Sequence, residues 1–184
     1  IRKAPEKSTL AYANENRSYK VYEDIFANLL GLCVKQAEGK KRKFRFKNPL
    51  RSIDATVIDL CLKVFDWARF RRAKGAIKLH LMLDHQGCLP CWALVTDGKT
   101  HEVKPAKTLS FTTGTIVAMD KGYTDYSLFS AWIESEVFFV TRMKSNAVYK
   151  VMRRDRKSEG KNILRDEIIR LTGTGAPEKC PHEL

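Results

Sequence analysis

The sequence lacks any long apolar run: no stretch approaches the roughly 18–20 apolar residues that a membrane-spanning helix needs. It also lacks the basic, apolar and small-residue zones of a secretory signal at its start, which is Ile1 rather than Met. These absences exclude an integral membrane protein and favour a cytosolic one whose five cysteines are reduced thiols. The first residue and the end at Leu184 lead us to expect a fragment of a longer protein.

Acidic residues are few beside the basic ones: 21 Asp and Glu stand against 34 Lys and Arg, which gives a net charge of +13. An excess of this size favours a polyanionic partner, most often nucleic acid, although a merely soluble basic protein stays open. Hydrophobic residues make up 43% and charged residues 30%, which disfavours disorder, collagen and coiled coil. A chain of 184 residues predicts one domain with an appendage.

The N-terminal quarter of the chain is predicted to be an arm followed by a helix. Residues 1–17 are polar, whereas apolar residues between Val21 and Cys33 recur at helical spacing. Six of the eight residues 40–47 are basic, and Phe44 and Phe46 alternate with the last two of them. This pattern predicts a strand leaving a basic loop, which is either a phosphate-contacting patch or a solvated run of charge.

A dense series of strand patterns begins at residue 51, and the first strand is apolar enough to be buried on both faces. Strands are predicted at 51–60, 76–85, 88–96, 115–119 and 136–141, with a helix from Thr124 or Asp125 to Ser135. The first three strands, joined by turns, are antiparallel neighbours, and a strand reached through a helix is parallel to its predecessor. The result is a mixed sheet covered by helices, followed after Lys144 by a polar, basic stretch and a β-like run at 167–171.

Two aspartates carry the candidate chemistry. Asp54 lies inside the most apolar strand, and Asp120 follows another apolar strand at its carboxyl end, where ligands gather in open α/β sheets. If those strands are neighbours, the two carboxylates repel each other, and a hard divalent cation such as Mg²⁺ removes that conflict. Two such ions about 3.5–4 Å apart clamp the reacting oxygens of a phosphodiester. An Asp that only caps a turn is the structural alternative.

Several segments together resemble the DDE-type transposases of the insertion-sequence-four family. The segment SIDATVIDLCLKVFDWARFRRAKGAIKLHLMLDHQGCLP is similar to the family's first catalytic block, and VAMDKGYTDYSLF followed by FFVTRMKSN is similar to its second. The motif TDGKTHEV lies between them in the family's order. The resemblance covers most of residues 50–146 and implies a ribonuclease-H-like α/β fold. The implied divisions are an N-terminal arm, helix and basic segment (1–48), a partial catalytic core (49–146) and the start of a β-rich insertion (147–184).

The resemblance implies metal-dependent phosphoryl transfer on DNA, with cleavage at transposon ends followed by strand transfer. Asp54 and Asp120 match the family's first two metal-binding aspartates, which hold two Mg²⁺ or Mn²⁺ ions in a complete site. His101 matches a common histidine, Glu102 stands where Asp is usual, and Lys121 stands where Arg is usual. The partner implied is double-stranded DNA, bound as a protein dimer in a synaptic complex, in the nucleoid-containing cytoplasm of a bacterium. The candidate DNA contacts are Arg69, Arg71, Arg72, Lys74, Lys78, His101, Lys121, Arg142 and Lys144.

The family's third acid, a glutamate within a Tyr-Arg-Glu-Lys signature, has no counterpart in this chain. Glu167 lies in a β-like run that resembles the insertion, so it is not assigned that role. We therefore expect the 184-residue chain to be inactive in transposition by itself.

Three other interpretations stay open at this point. Cys88 and Cys91, with Cys180 and His182, have the residue types of a zinc site, although Cys88 and Cys91 lie on a predicted hairpin strand. The chain is alternatively a DNA-binding module without catalysis, or a related nuclease that cuts DNA without joining it. His80 and His85 are expected to be packing residues rather than ligands.

Overall fold

A computed structural model describes residues 4–37, 44–60, 69–71, 74–154 and 163–184. The contacts divide the chain into two units, Ile1–Lys41 and Arg42–Leu184. The first unit contains helices α1 (Lys7–Asn16) and α2 (Lys20–Ala37). The helix expected after residue 17 is confirmed, but the predicted arm contains a ten-residue helix as well. The polar sequence of α1 carries no apolar periodicity, so the pattern indicated no more than one short helical turn after Ser8.

The second unit is built on a six-stranded mixed sheet. Its strands are β1 (Leu50–Leu60), β2 (Arg69–Arg71), β3 (Lys74–Asp84), β4 (Leu89–Asp97), β5 (Ile116–Met119) and β6 (Phe138–Val140). The order is β2-β3-β1-β5-β6, with β4 also paired to β3. Strand β3 is antiparallel to both β1 and β4, whereas β5 is parallel to β1 and to β6. The expected antiparallel set followed by parallel strands is confirmed, and the order is consistent with a ribonuclease-H-like fold.

Short helices join and cover the sheet. Helix α3 (Val103–Ala106) follows β4, a 3-10 turn spans Lys121–Tyr123, and α4 (Tyr126–Glu134) connects β5 to β6. The carboxylate of Asp125 caps α4 by accepting a 2.9 Å hydrogen bond from the backbone N–H of Leu128, which confirms the start predicted there. Strands β7 (Tyr149–Arg154) and β8 (Glu167–Leu171) form a separate two-stranded sheet, and α5 (Ala176–Lys179) follows.

The apolar core lies where α4 packs on β5. Its buried side chains include Leu128, Phe129 and Trp132 of α4, each 3–4% exposed, together with Val117 at 0%. Burying a large apolar side chain stabilises the folded state by about 1.5–3 kcal/mol. The small sheet contributes Leu171, which is 2% exposed, so β8 packs into the same core.

Two local predictions are wrong. Strand β1 was expected to be buried on both faces, yet Ile53 is its one buried residue and positions 56–59 are exposed. The reason is that β5 pairs only with Leu50–Ile53, so the second half of β1 contacts β3 alone. The strand expected around Phe44 and Phe46 is also absent, because residues 44–46 form bends and β1 begins at Leu50.

Candidate active site

The two candidate aspartates lie at neighbouring positions of the sheet. The parallel register pairs Ile53 of β1 with Met119 of β5, and Asp54 and Asp120 are the next residues of their strands. Ile53 and Met119 are both buried, at 3% and 8% exposure, and the side chains of consecutive extended residues point to opposite faces. Asp120 continues the extended backbone, with φ −81° and ψ 173°. Asp54 and Asp120 are therefore both exposed, each one residue beyond the paired Ile53 and Met119, and the extended backbone turns their side chains away from the buried face of these two residues.

Local backbone contacts hold each carboxylate. Oδ1 of Asp54 accepts a 2.8 Å hydrogen bond from the backbone N–H of Ala55, and Oδ1 of Asp120 accepts one of 2.8 Å from that of Gly122. A Cβ atom at Gly122 would lie 3.0 Å from Oδ1 of Asp120, so a side chain there would crowd the carboxylate. Both aspartates are thus fixed at one oxygen while they stay accessible to solvent.

Tyr123 is a buried tyrosine whose pKa is affected by the charges of both aspartates. Tyr123, in the turn after Asp120, is 1% exposed, and its hydroxyl has no hydrogen-bond partner among the described residues. Burial raises the pKa of Tyr123 far above its ordinary value, and the negative charges of Asp54, Glu102 and Asp120 raise it further. Three carboxylates therefore act electrostatically on the Tyr123 hydroxyl, which has no hydrogen-bond partner among the described residues.

Lys78 and Glu102 form a largely buried ion pair beside this region. Lys78 is 8% exposed, and its Nζ donates hydrogen bonds of 2.8 Å to Oε1 of Glu102 and 2.7 Å to the carbonyl of Thr100. Burial works to raise the pKa of Glu102, but the hydrogen bond and charge of Lys78 outweigh it and lower that pKa. His80, two residues further along β3, is fully buried, and its Nε2 lies 2.9 Å from Oγ1 of Thr96.

The donor set at Asp54 and Asp120 fits a hard divalent cation. Carboxylate oxygens are its preferred ligands, and a cation between the strands would offset the repulsion of two adjacent negative charges. No group of three or more His, Cys, Asp or Glu side chains in the described part of the chain could hold a metal ion. A cation held by this pair would therefore need further oxygen ligands from water or substrate phosphate, as Mg²⁺ commonly has.

Comparison with known proteins agrees with this geometry. Residues 45–175 match the family described as "Transposase DDE domain". The chain belongs to the DDE transposase family.

Curated relatives in this family are longer than the chain. A protein of Sinorhizobium fredii named as transposase y4zB is 31% identical over 176 residues, which is 94% of this chain and 48% of the relative. A protein of Geobacillus stearothermophilus named as a transposase for insertion sequence element IS5377 is 25% identical over 139 residues, 76% of this chain and 36% of the relative. The chain thus spans about half or less of the relatives it matches. No solved structure matches.

Three of the predicted DNA contacts surround Asp120 on this DDE domain. Lys121 and Arg142 are exposed, and Nζ of Lys144 lies 3.4 Å from the carbonyl of Thr124. The hydroxyl of Thr141, next to Arg142, donates a 3.1 Å hydrogen bond to the backbone carbonyl of Asp120. The end of β6, which Arg142 and Lys144 follow, is therefore tied to the end of β5, which Asp120 follows.

The other predicted DNA contacts differ in how far they are buried and in how much of them the structure describes. Lys78 is buried and paired with Glu102, so its position disfavours the phosphate contact expected of it. His101 is exposed, with its Nδ1 3.8 Å from Oε2 of Glu102. Arg69 and Arg71 lie on β2, which pairs with the start of β3 at Lys74 and Gly75, and Arg72 lies outside the described residues.

The cysteines and the remaining acid have other surroundings. Cys88 and Cys91 are exposed, whereas Cys180 is fully buried in the core. Nε2 of His182 lies 3.0 Å from Oγ of Ser130, a contact that links α5 to α4. Glu167 lies on β8 and pairs with Arg154 of β7 at 3.1 Å, which is a structural contact within the small sheet.

The sequence did not indicate the groups beneath the acidic pair. Tyr123 lies within the segment VAMDKGYTDYSLF, where no pattern marked it as buried, and Glu102 stood out only because Asp is usual at its position. The alternation of β3 was the available signal, because it places Lys78, His80 and Met82 on one face. That face is the buried one, which a pattern of polar residues does not suggest.

Proposed function

We propose that this chain is part of the catalytic domain of an insertion-sequence transposase of the insertion-sequence-four type. The supporting observation is the parallel pairing of β1 with β5, whose register ends at Ile53 and Met119, the residues directly before Asp54 and Asp120. Family membership supports the same reaction class: phosphoryl transfer on DNA, with end cleavage followed by strand transfer.

Asp54 and Asp120 would hold Mg²⁺ or Mn²⁺ in this proposal. A divalent ion there supplies charge neutralisation at the reacting phosphate and a lowered pKa for bound water. The chain's own contribution is placement: backbone amides of Ala55 and Gly122 fix one oxygen of each carboxylate. Among the described residues the hydroxyl of Tyr123 has no hydrogen-bond partner, which is consistent with a region whose polar groups are completed by a bound ligand.

DNA would be held by the basic residues around this pair. The chain carries a net charge of +13. Lys121 follows Asp120 after the end of β5, and Arg142 and Lys144 follow the neighbouring strand β6. Phosphate contacts of this kind position DNA without reading its sequence, and they weaken steeply as salt concentration rises. Dimerisation on DNA stays a prediction that rests on the family resemblance.

Metal binding tests the acidic pair directly. Mn²⁺ titration of the 184-residue chain, followed by electron paramagnetic resonance, should show binding that Asp54→Asn or Asp120→Asn weakens by at least about tenfold. Asp59→Asn is the matched control, because Asp59 is an exposed aspartate on the same strand, six residues past the Ile53–Met119 pair at which the pairing with β5 ends. Equal affinities in all four proteins would contradict the proposed site.

Activity on DNA separates the proposed function from its two alternatives. Labelled duplexes with Mg²⁺ are incubated with the 184-residue chain and with a longer protein that contains this sequence. Joining by the longer protein that Asp54→Asn abolishes supports a transposase, cutting without joining favours a nuclease, and binding without cutting favours a DNA-binding module. We expect the 184-residue chain to bind DNA without joining it, because no third carboxylate lies with the pair in the described residues. Strand joining by that chain alone would contradict this expectation.

A further inference from the structure

We infer that Phe44 and Phe46 form a stacking site for an unpaired DNA base, separate from the acidic pair. The inference rests on the proposed function for its substrate, DNA, and it assigns that substrate a second contact. The two aromatic residues lie just before β1, whereas Asp54 lies four residues into the strand from Leu50. At about 3.3 Å per residue, roughly 13 Å of strand separates the two sites.

The two rings already form a stacked surface. Their centroids are 5.2 Å apart and their planes differ by 19°. The ring of His85 meets Phe44 edge-on, with centroids 6.3 Å apart and planes at 77°. Phe44 is 45% exposed and Phe46 is 39% exposed, so aromatic surface remains open to solvent after these contacts.

The surface is supported by the sheet. A cavity of about 50 Å³ lies between the two phenylalanines, Leu50 and His85. The backbone N–H of His85 donates to the carbonyl of Leu50 at 3.1 Å, and Nε2 of His85 lies 3.0 Å from Oγ of Ser52. These bonds tie the start of the β3–β4 turn to β1, so the rings rest on ordered backbone. A cavity of this size accepts part of a ring rather than a whole ligand, which suits a base stacked from outside.

The charge around the rings fits nucleic acid. Arg45 and Lys47 alternate with the phenylalanines and are exposed, and residues 40–47 contain six basic residues and no acid. The carboxylate nearest in the turn, that of Asp84, is paired with Arg51. Aromatic faces set among cations are the combination by which proteins bind single-stranded DNA, because rings stack on bases while cations contact phosphates. An apolar protein partner would gain nothing from the cations.

Binding of a fluorescent probe tests the stacking. The probe is a short oligothymidylate with one 2-aminopurine, whose fluorescence falls on stacking, and a duplex of the same length is measured in parallel. The variant Phe44→Leu/Phe46→Leu keeps apolar bulk but removes both rings. We expect it to bind the single strand about tenfold more weakly and to lose the quenching, with duplex binding unchanged. Phe44→Tyr/Phe46→Tyr should retain both signals.

Two controls separate the possible failures. Phe138→Leu removes an aromatic ring that is 59% exposed on β6, and it should leave both probes unaffected. Arg45→Gln should weaken single strand and duplex alike and reduce the salt dependence of both. If duplex binding is normal but the double leucine variant still quenches the probe, the stacking site is wrong and the proposed function stands. If wild-type protein binds neither probe, both are wrong.

Discussion

The two sides of the turn that follows β5 are packed by different physical means. Around α4, the core is apolar and closed, with Leu128, Phe129 and Trp132 each about 4% exposed or less. Tyr123 packs into the same core, but the charges of Asp54, Glu102 and Asp120 act on it. Buried polar groups accompany Glu102, because Lys78 pairs with it and His80, two residues further along β3, is fully enclosed. Three buried polar atoms lack a partner among the described residues, and they are His80 Nδ1, Tyr123 OH and Thr124 Oγ1.

This difference assigns stability mainly to the apolar packing of α4 and function to the polar groups near the two aspartates. An apolar side chain gains free energy by leaving water, whereas a polar group without a partner loses about 1–3 kcal/mol. The apolar packing around α4 therefore raises the free energy of unfolding. The unsatisfied polar groups near Tyr123 and the two aspartates lower it. Unsatisfied groups are expected near functional sites, where the ligand completes the interactions.

The largest effect is expected in the apolar region. Trp132→Ala removes the indole that meets Phe111 edge-on at 5.6 Å and packs among the buried core residues. We expect it to lower the free energy of unfolding by about 3–5 kcal/mol, because a cavity remains in a closed core. Urea denaturation measures this.

Phe138→Ala is the control for that measurement. Its side chain lies on the neighbouring strand β6 but is 59% exposed. A change within about 0.5 kcal/mol is expected, as for ordinary surface positions. Equal losses in the two variants would contradict the division into a closed core and an open edge.

A smaller effect is expected from breaking the buried ion pair. Lys78→Met leaves the Glu102 carboxylate without its cation and should lower the free energy of unfolding by about 2–3 kcal/mol at pH 7. Lys78→Met/Glu102→Leu should lower it less than Lys78→Met alone, because no unpaired charge remains. Urea denaturation of both variants checks the order.

The same pair predicts a pH dependence. The pKa of Glu102 is lowered from its ordinary 4.5 in the folded protein, so the unfolded chain takes up its proton first as pH falls. The pair's contribution is therefore complete above about pH 4.5 and is lost as pH falls through the lower folded pKa. Lys78→Met should lose less stability than wild type over this interval in urea titrations at successive pH values. Parallel curves would contradict the pairing.

The smallest effect is expected at the unpartnered hydroxyl. Tyr123→Phe removes an oxygen that has no hydrogen-bond partner in the described residues while it keeps the ring. The free energy of unfolding should stay unchanged or rise by up to about 1 kcal/mol, since no bond is lost. A loss greater than about 1 kcal/mol in urea would mean that the hydroxyl has a partner, and the contrast between the two regions would be smaller than described.

Much of the fold was accessible from local patterns. Strand periodicity in β3 and the capping residue Asp125 both predicted elements at the observed places, within a few residues. Strand β7, within Tyr149–Arg154, was missed because its sequence is basic and only one of its residues is half-buried. Alternating hydrophobicity marks a strand with one buried face, and β7 has no buried face, so its sequence lacks the pattern.

The sequence by itself determined the main strands of the large sheet, helix α4, and the places of the two aspartates within β1 and directly after β5, because backbone preferences and apolar spacing are local. Tertiary structure alone decided which side of β3 is buried, and so placed Lys78 in an ion pair with Glu102 that the sequence did not indicate. It also decided that Tyr123 lies near three carboxylates that come from separate parts of the chain. Burial and charge pairing depend on which distant segments meet, and a local pattern contains no information about that meeting.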